Sequence, residues 1–201
     1  MVRGGERLFP GLEACDSITL DPHKGLFLPY GTGCLLVRDA GALERAHRGE
    51  ASYLQDVQGR AVAPDFHSLS PELSRDFRGL RVWLPIVLHG LGAFCEQLRE
   101  KLDLARSAWE SLCSEPLLEM LDEPQLSIVA FTCRASQRRD GNSIAAELLR
   151  RVNDRRRVFL SSTTIDGRFV VRICVLSFRT HADRMADAVG AIKEEARALA
   201  G

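Results

Sequence analysis

Asp21-Pro22-His23-Lys24 places a carboxyl, an imidazole and an amine within four consecutive residues. A lysine amine near neutral pH is almost wholly protonated and a poor nucleophile. Burial or a neighbouring positive group frees its lone pair to form a Schiff base with a carbonyl. Pro22 holds the backbone entering the segment, and His23 offers a ring that packs on a bound group or touches an anion. Leu26-Phe27-Leu28 supplies apolar surroundings for the amine. The alternative, by residue types alone, is a solvated surface lysine. Gly31-Thr32-Gly33 suits either a phosphate bound by backbone N–H groups or a simple turn before a strand. Arg75, Arg78 and Arg81 suit a bound carboxylate, pairing across subunits, or structural ion pairs. His47, His89 and His181 lack metal-ligand spacing, so no metal site is expected.

The elements that must hold these groups begin short. Ser17–Leu20 reads as a strand and Cys34–Val37 as a buried apolar strand, with the loop Asp21 to Gly33 between them. Active-site groups are often carried on loops held this way. Ala40 to Arg48 reads as a short helix. Residues 49–76 are rich in Gly, Pro, Ser and Asp and show no sustained period, which marks a functional or mobile stretch. From Pro85, the apolar residues Val87, Leu91, Phe94, Leu98, Leu102, Ala105, Trp109 and Leu112 step by three and four, the pattern of a long amphipathic helix. Trp83 and Trp109 are expected in the core or an interface. Leu126–Phe131 then reads as a strand, and Ser143–Asn153 as a helix with Ala145, Leu148, Leu149 and Val152 on one face. Val158–Ile165 and Arg168–Val175 flank Asp166-Gly167, a strong hairpin signal. Thr180 and Asp183 resemble a capping box before a last helix. Strand, helix, hairpin and helix together make a small α+β layer from about residue 114 onward.

The run Asp21-Pro22-His23-Lys24-Gly25-Leu26-Phe27-Leu28-Pro29-Tyr30-Gly31-Thr32-Gly33-Cys34-Leu35-Leu36-Val37-Arg38 resembles the cofactor-lysine segment of the group II pyridoxal-phosphate decarboxylases. That family includes the aromatic-L-amino-acid, histidine and glutamate decarboxylases. Arg75-Asp76-Phe77-Arg78-Gly79-Leu80-Arg81-Val82-Trp83 is similar to a second family stretch, and the hairpin with Ser161-Ser162 and Arg172 fits the family's C-terminal domain. The resemblance implies an α/β, type I pyridoxal-phosphate (PLP) transferase fold. Residues 1–84 would be the end of the large domain with a mobile loop at about 49–76, residues 85–113 a connecting helix, and 114–201 the small C-terminal α+β domain. It implies a PLP-dependent amino-acid decarboxylase (a carboxy-lyase) with the Schiff base on Lys24, and His23 and Asp21 beside the cofactor.

The resemblance also shows departures. The family often has Asn where Asp21 stands; an ionised Asp repels a phosphate, so Asp21 is expected to bond a backbone group. An ungapped alignment from Phe77-Arg78 puts Phe66 where the family carries a loop Tyr that protonates the substrate carbon. Phe donates no proton, and in relatives with this change the product shifts toward an aldehyde; Tyr53 and His67 are the other candidates for donor. The family's pyridinium-binding Asp and ring-stacking His lie upstream of the lysine, where position 24 leaves no room for them. The chain is therefore expected to be a C-terminal portion, incomplete as a catalyst by itself. The alternative is an inactive truncated fragment that serves as a dimerisation or regulatory partner. The implied partners are a small amino-acid substrate and a second copy in a homodimer.

Composition agrees with such a protein. The 201 residues carry 27 Lys+Arg against 27 Asp+Glu, so the basic excess of a nucleic-acid binder is missing. The basic run Arg150, Arg151, Arg155, Arg156, Arg157 reads as a solvated helix end. No signal-peptide pattern is read, and no apolar run approaches the roughly 18 residues of a membrane span. Six scattered cysteines without a C-x-x-C pair suit buried free thiols, so a cytoplasmic location is expected.

Overall fold

Strand pairs and short helices build the first of two units, Met1–Leu88. The structure, a computed structural model, describes residues 2–3, 6–7, 9–47 and 66–200. β1 (Val2–Arg3) and β2 (Glu6–Arg7) pair antiparallel. β3 (Ser17–Leu20) and β4 (Cys34–Val37) do the same, with Ser17 opposite Val37 and Leu20 opposite Cys34. Inside the expected loop lies α1 (Pro22–Gly25), with Pro at its first position, where a missing N–H costs nothing. α2 (Ala40–His47) follows, and a 3-10 turn at Phe66–Leu69 packs on it.

The strand at Cys34–Val37 forms as expected, but it is not buried. Leu35 is 49% and Leu36 53% exposed, and successive strand residues point to opposite faces. A continuous apolar run needs a covering layer on each side. Among the described residues of this unit neither face receives one.

α3 (Leu80–Leu112) begins at Leu80 rather than near Pro85, because the N–H groups of Val82 and Trp83 already bond the Gly79 carbonyl. Gly90, at φ 75° and ψ 151°, interrupts it close to the boundary between the units. Val87, Leu91 and Trp83 are exposed, whereas Leu102, Ala105 and Leu112 are buried. Trp83 is therefore outside any core of the described residues. Trp109 packs against the core of the second unit, and its Nε1–H donates to the Leu121 carbonyl at 3.0 Å.

The second unit, His89–Gly201, has its own sheet. β5 (Leu118–Met120), β6 (Ile128–Cys133), β7 (Ser161–Ile165) and β8 (Arg168–Cys174) lie antiparallel in the order β5-β6-β8-β7. The short β5 carries no periodic signal in the sequence. Asp166 (φ 49°) and Gly167 (φ 76°) both take the left-handed geometry that a two-residue hairpin turn demands. α4 (Gly141–Asp154) packs on β6 and β8, and α5 (Ala182–Ala200) packs on α4. Phe131, Leu112, Ile144, Leu148, Val152, Val171 and Ile192 form a continuous, fully buried core.

Two details set the start of α4. Asp140 Oδ1 accepts from the Ser143 N–H at 3.0 Å, an N-cap that satisfies one of the open donors of the first turn. Gly141 lies so close to β6 that a Cβ there would meet the Cys133 carbonyl oxygen at 2.2 Å. The basic run at the end of α4 is mostly exposed, as expected of a solvated helix end, and is also laced by ion pairs. Arg150 pairs with Glu147 and Asp154, Arg155 with Glu194 at 2.6 Å, and Arg157 with Asp187 at 2.9 Å, which ties the end of α4 to α5.

The thiols depart from expectation. All six are free, but only Cys133 is buried; Cys15, Cys95, Cys113 and Cys174 are exposed. Apolar periodicity marks which face of an element is inward, not whether anything covers it. Burial pushes the Cys133 thiol up to about 12, and the thiolate is the reactive form. At pH 8 a disulfide-exchange reagent should therefore label the exposed thiols within minutes and Cys133 only in denaturant. Rapid labelling of Cys133 in the folded protein, read by peptide mass spectrometry, would contradict this packing.

Candidate active site

The chain leaves β3 at Asp21 and turns at once into α1, whose single turn carries His23 and Lys24. Three backbone bonds shape the turn: Lys24 N–H to Asp21 O (3.0 Å), Phe27 N–H to Lys24 O (3.2 Å) and Leu28 N–H to Pro22 O (3.1 Å). Phe27 adopts φ 58°, a left-handed geometry uncommon for a residue with a bulky side chain. Pro22 and Leu28 are buried, so the turn is anchored on both sides of the lysine.

His23 is held from across the loop. Its Nδ1 lies 3.0 Å from the Thr32 carbonyl oxygen. A carbonyl oxygen only accepts, so Nδ1 carries the proton and Nε2 is left as the acceptor of the neutral ring. Thr32 is itself buried, with its hydroxyl donating to the Pro29 carbonyl at 3.2 Å. The Tyr30 ring stands 5.1 Å from the imidazole, tilted by 34°. Arg81 donates to the Gly31 carbonyl at 3.3 Å, and Gly31 adopts φ 79°, a left-handed geometry that favours glycine. Gly31 and Thr32 thus bind their neighbours through their carbonyls. Thr32 and Arg81 are supports that the sequence did not single out for this purpose. Nothing in the local pattern marks Thr32, and Arg81 was visible only as one arginine among three.

Lys24 Nζ donates to Asp21 Oδ2 at 2.6 Å, with the two side chains 63% and 48% exposed. That hydrogen bond, and then the Lys24 charge, hold the Asp21 carboxyl below its ordinary range; His23 adds a smaller pull in the same direction. Two expectations are corrected here. Leu26-Phe27-Leu28 does not enclose the amine, because the turn directs Leu28 inward and leaves Lys24 in solvent. Asp21 bonds the lysine side chain rather than a backbone group, because a spacing of three residues brings the two together across one helical turn.

Phe66 opens its 3-10 turn and is exposed, and its carbonyl accepts from Arg75 Nη2 at 3.1 Å. His67 sits next in the same turn, and Tyr53 lies outside the described residues. Arg78 pairs with Glu72 and Asp76 at 3.0 Å each, and Arg81 also pairs with Asp76. Those guanidinium groups are engaged in ion pairs within the unit. Thus the structure gathers Asp21, His23 and Lys24 into one cluster and sets Phe66 in another, with Arg75. Among the described residues no three His, Cys, Asp or Glu side chains are grouped to hold a metal ion, and no helix is long and apolar enough to cross a membrane.

Residues 1–134 match the family described as the pyridoxal-dependent decarboxylase conserved domain. Over 193 residues the chain is 32% identical to an aromatic-L-amino-acid decarboxylase of Bacillus atrophaeus, covering 94% of this chain and 40% of that protein. It is 26% identical over 192 residues to a 3,4-dihydroxyphenylacetaldehyde synthase of Aedes aegypti, covering 95% of this chain and 36% of the relative. A crystal structure of Oryza sativa TDC with PLP and tryptamine matches with a TM-score of 0.85 at 24% identity, over 96% of this chain and 41% of that one. The likeness shows the α/β type I fold expected from the sequence. The chain spans about two fifths of the length of these relatives.

Proposed function

The chain belongs to the pyridoxal-dependent decarboxylase family, and on that premise we propose that it is the part of a PLP-dependent amino-acid decarboxylase that carries the cofactor lysine, Lys24. The observation that supports this reading most is that the Asp21-Pro22-His23-Lys24 segment lies within the residues matched to the family, with Lys24 on a one-turn helix anchored between two paired strands. When bound, pyridoxal phosphate supplies an electron sink for the bond broken at the substrate's α-carbon. The residues present fit its aldehyde end. Lys24 Nζ would hold it through its aldehyde carbon, and His23, fixed through Nδ1, would offer its ring and Nε2 to it. Asp21 would act on a bound cofactor through Lys24, since its carboxylate is engaged there and would repel a phosphate.

The substrate class is an α-amino acid that loses its carboxylate. The working assembly is a homodimer, with the exposed Trp83 at an interface rather than in a core. The free thiols suit a reducing compartment, so the protein is assigned to the cytoplasm. A second reading, formation of an aldehyde rather than an amine, draws on Phe66, which has no hydroxyl to return a proton to the α-carbon. Both routes release CO2, and product analysis separates them: amine in one case, aldehyde with ammonia and hydrogen peroxide at the expense of O2 in the other.

The cofactor reading has a direct test, because the sequence contains three lysines, Lys24, Lys101 and Lys193. Lys101 is 2% exposed and donates to the Thr180 carbonyl at 2.6 Å, whereas Lys193 is half-buried near Ser114. Protein incubated with pyridoxal phosphate, reduced with borohydride and digested should carry the phosphopyridoxyl group at Lys24. Label distributed between Lys193 and the N-terminus without preference for Lys24 would sink the reading.

A further inference from the structure

Asp21 shows an interaction that an N-terminal helix residue does not need. Its side chain makes no capping bond to the backbone of α1. Its Oδ2 instead accepts from Lys24 Nζ at 2.6 Å, while its carbonyl accepts from the Lys24 N–H at 3.0 Å, so the same residue grips the lysine at both ends. We infer that Asp21 is a positioning residue that gates Lys24: its carboxylate holds Nζ in an ion pair, and this pair must open before the amine attacks an aldehyde. The inference rests on the assignment of Lys24 as the cofactor lysine.

The chemistry gives the sign. An ammonium has no lone pair, so Nζ must first release one proton. The neutral amine then forms a bond to the aldehyde carbon as the C=O π pair moves to oxygen. That oxygen takes up protons and leaves as water, and the nitrogen lone pair closes the C=N bond; nothing is oxidised or reduced. A nearby carboxylate promotes this only if it takes the proton. Asp21 is a poor acceptor, because the hydrogen bond and charge of Lys24 hold its carboxyl below the ordinary range. Its net effect is therefore restraint. The other titratable group recorded around Asp21 is His23, whose ring is tied to Thr32 and whose pull on Asp21 is the smaller. Both partners are about half exposed or more, so the restraint has the modest size of a solvated ion pair and weakens with salt.

The test measures trapping at Lys24 with cyanoborohydride as a function of pH, for the full chain and for Asp21→Asn and Asp21→Glu. Pyridoxal phosphate and phosphate-free pyridoxal serve as parallel probes. The Asn variant should react about two- to five-fold faster near neutral pH. The advantage should vanish at high pH, where the amine is neutral in both proteins, and at high salt. The Glu variant, still able to pair, should keep the native profile. A merely structural Asp21 would change the unfolding midpoint and leave the pH profile in place. Acceleration with pyridoxal phosphate but not with pyridoxal would trace the effect to phosphate repulsion and overturn the gate. Equal rates at Lys24 in all three proteins would overturn the gate and leave the cofactor assignment standing. No label at Lys24 in any of them would remove the assignment and the gate together.

Discussion

Lys24→Ala is expected to abolish saturable attachment of pyridoxal phosphate, lowering reducible label on the folded chain to the level of the N-terminus and Lys193. The reason is chemical scarcity as much as geometry. Two lysines remain in the variant, and Lys101 is withdrawn from solvent, with Nζ bonded to the Thr180 carbonyl and paired with Glu100 at 2.7 Å. Lys193, on α5, reaches no further than the Ser114 hydroxyl at 3.4 Å and has no imidazole or anchored turn beside it among its recorded partners. An amine with nothing to orient the ring reacts reversibly and without saturation. The unfolding midpoint should not move, because Lys24 is exposed and the turn is held by backbone bonds. Titration of absorbance in the internal-linkage band, with borohydride trapping, decides the matter. Saturable binding of equal affinity in the variant would show that the amine is not where the cofactor is held.

Phe131→Ala should produce the largest loss of stability of any single truncation in the sheet, about 3–5 kcal/mol for a fully enclosed aromatic side chain. Phe131 lies in β6 opposite Met120 of β5 on one side and Val171 of β8 on the other, and it is completely buried among Leu148, Ile192 and Leu112. Backbone hydrogen bonds on both sides hold its Cα in place, so the surrounding atoms have little freedom to collapse into the space left behind. Urea unfolding followed by Trp109 fluorescence in a Trp83→Phe background reports on this unit alone. A loss below about 1 kcal/mol would mean that the core is far looser than the packing indicates.

Much of the second unit was legible in advance because its signals are local. Asp166-Gly167 specifies a tight turn, since both residues tolerate left-handed φ, and the two strands follow from it. The apolar spacing of α4 and α5 marks helices that need one covered face, and the sheet covers it. Boundaries moved where tertiary contacts intervened: β7 starts at Ser161 rather than Val158, and α4 starts at Gly141, where the Asp140 cap and the close approach to β6 set the first turn. β5 was invisible because three residues carry too little pattern, and its pairing with β6 is what makes it a strand.

In the first unit the chemical signal outran the structural one. The residue order Asp-Pro-His-Lys followed by an apolar strand determined by itself which family the chain resembles, which amine to examine and which ring stands beside it. Tertiary structure alone decided the state of those groups. It left Leu35, Leu36 and Lys24 exposed, turned Asp21 onto the lysine rather than the backbone, joined His23 to Thr32 nine positions away, and braced Gly31 with Arg81 fifty positions away. The division has one physical cause. Turn chemistry and periodicity are properties of neighbouring residues, written in order along the chain, whereas burial and pairing depend on which distant segment arrives to cover or bond a group.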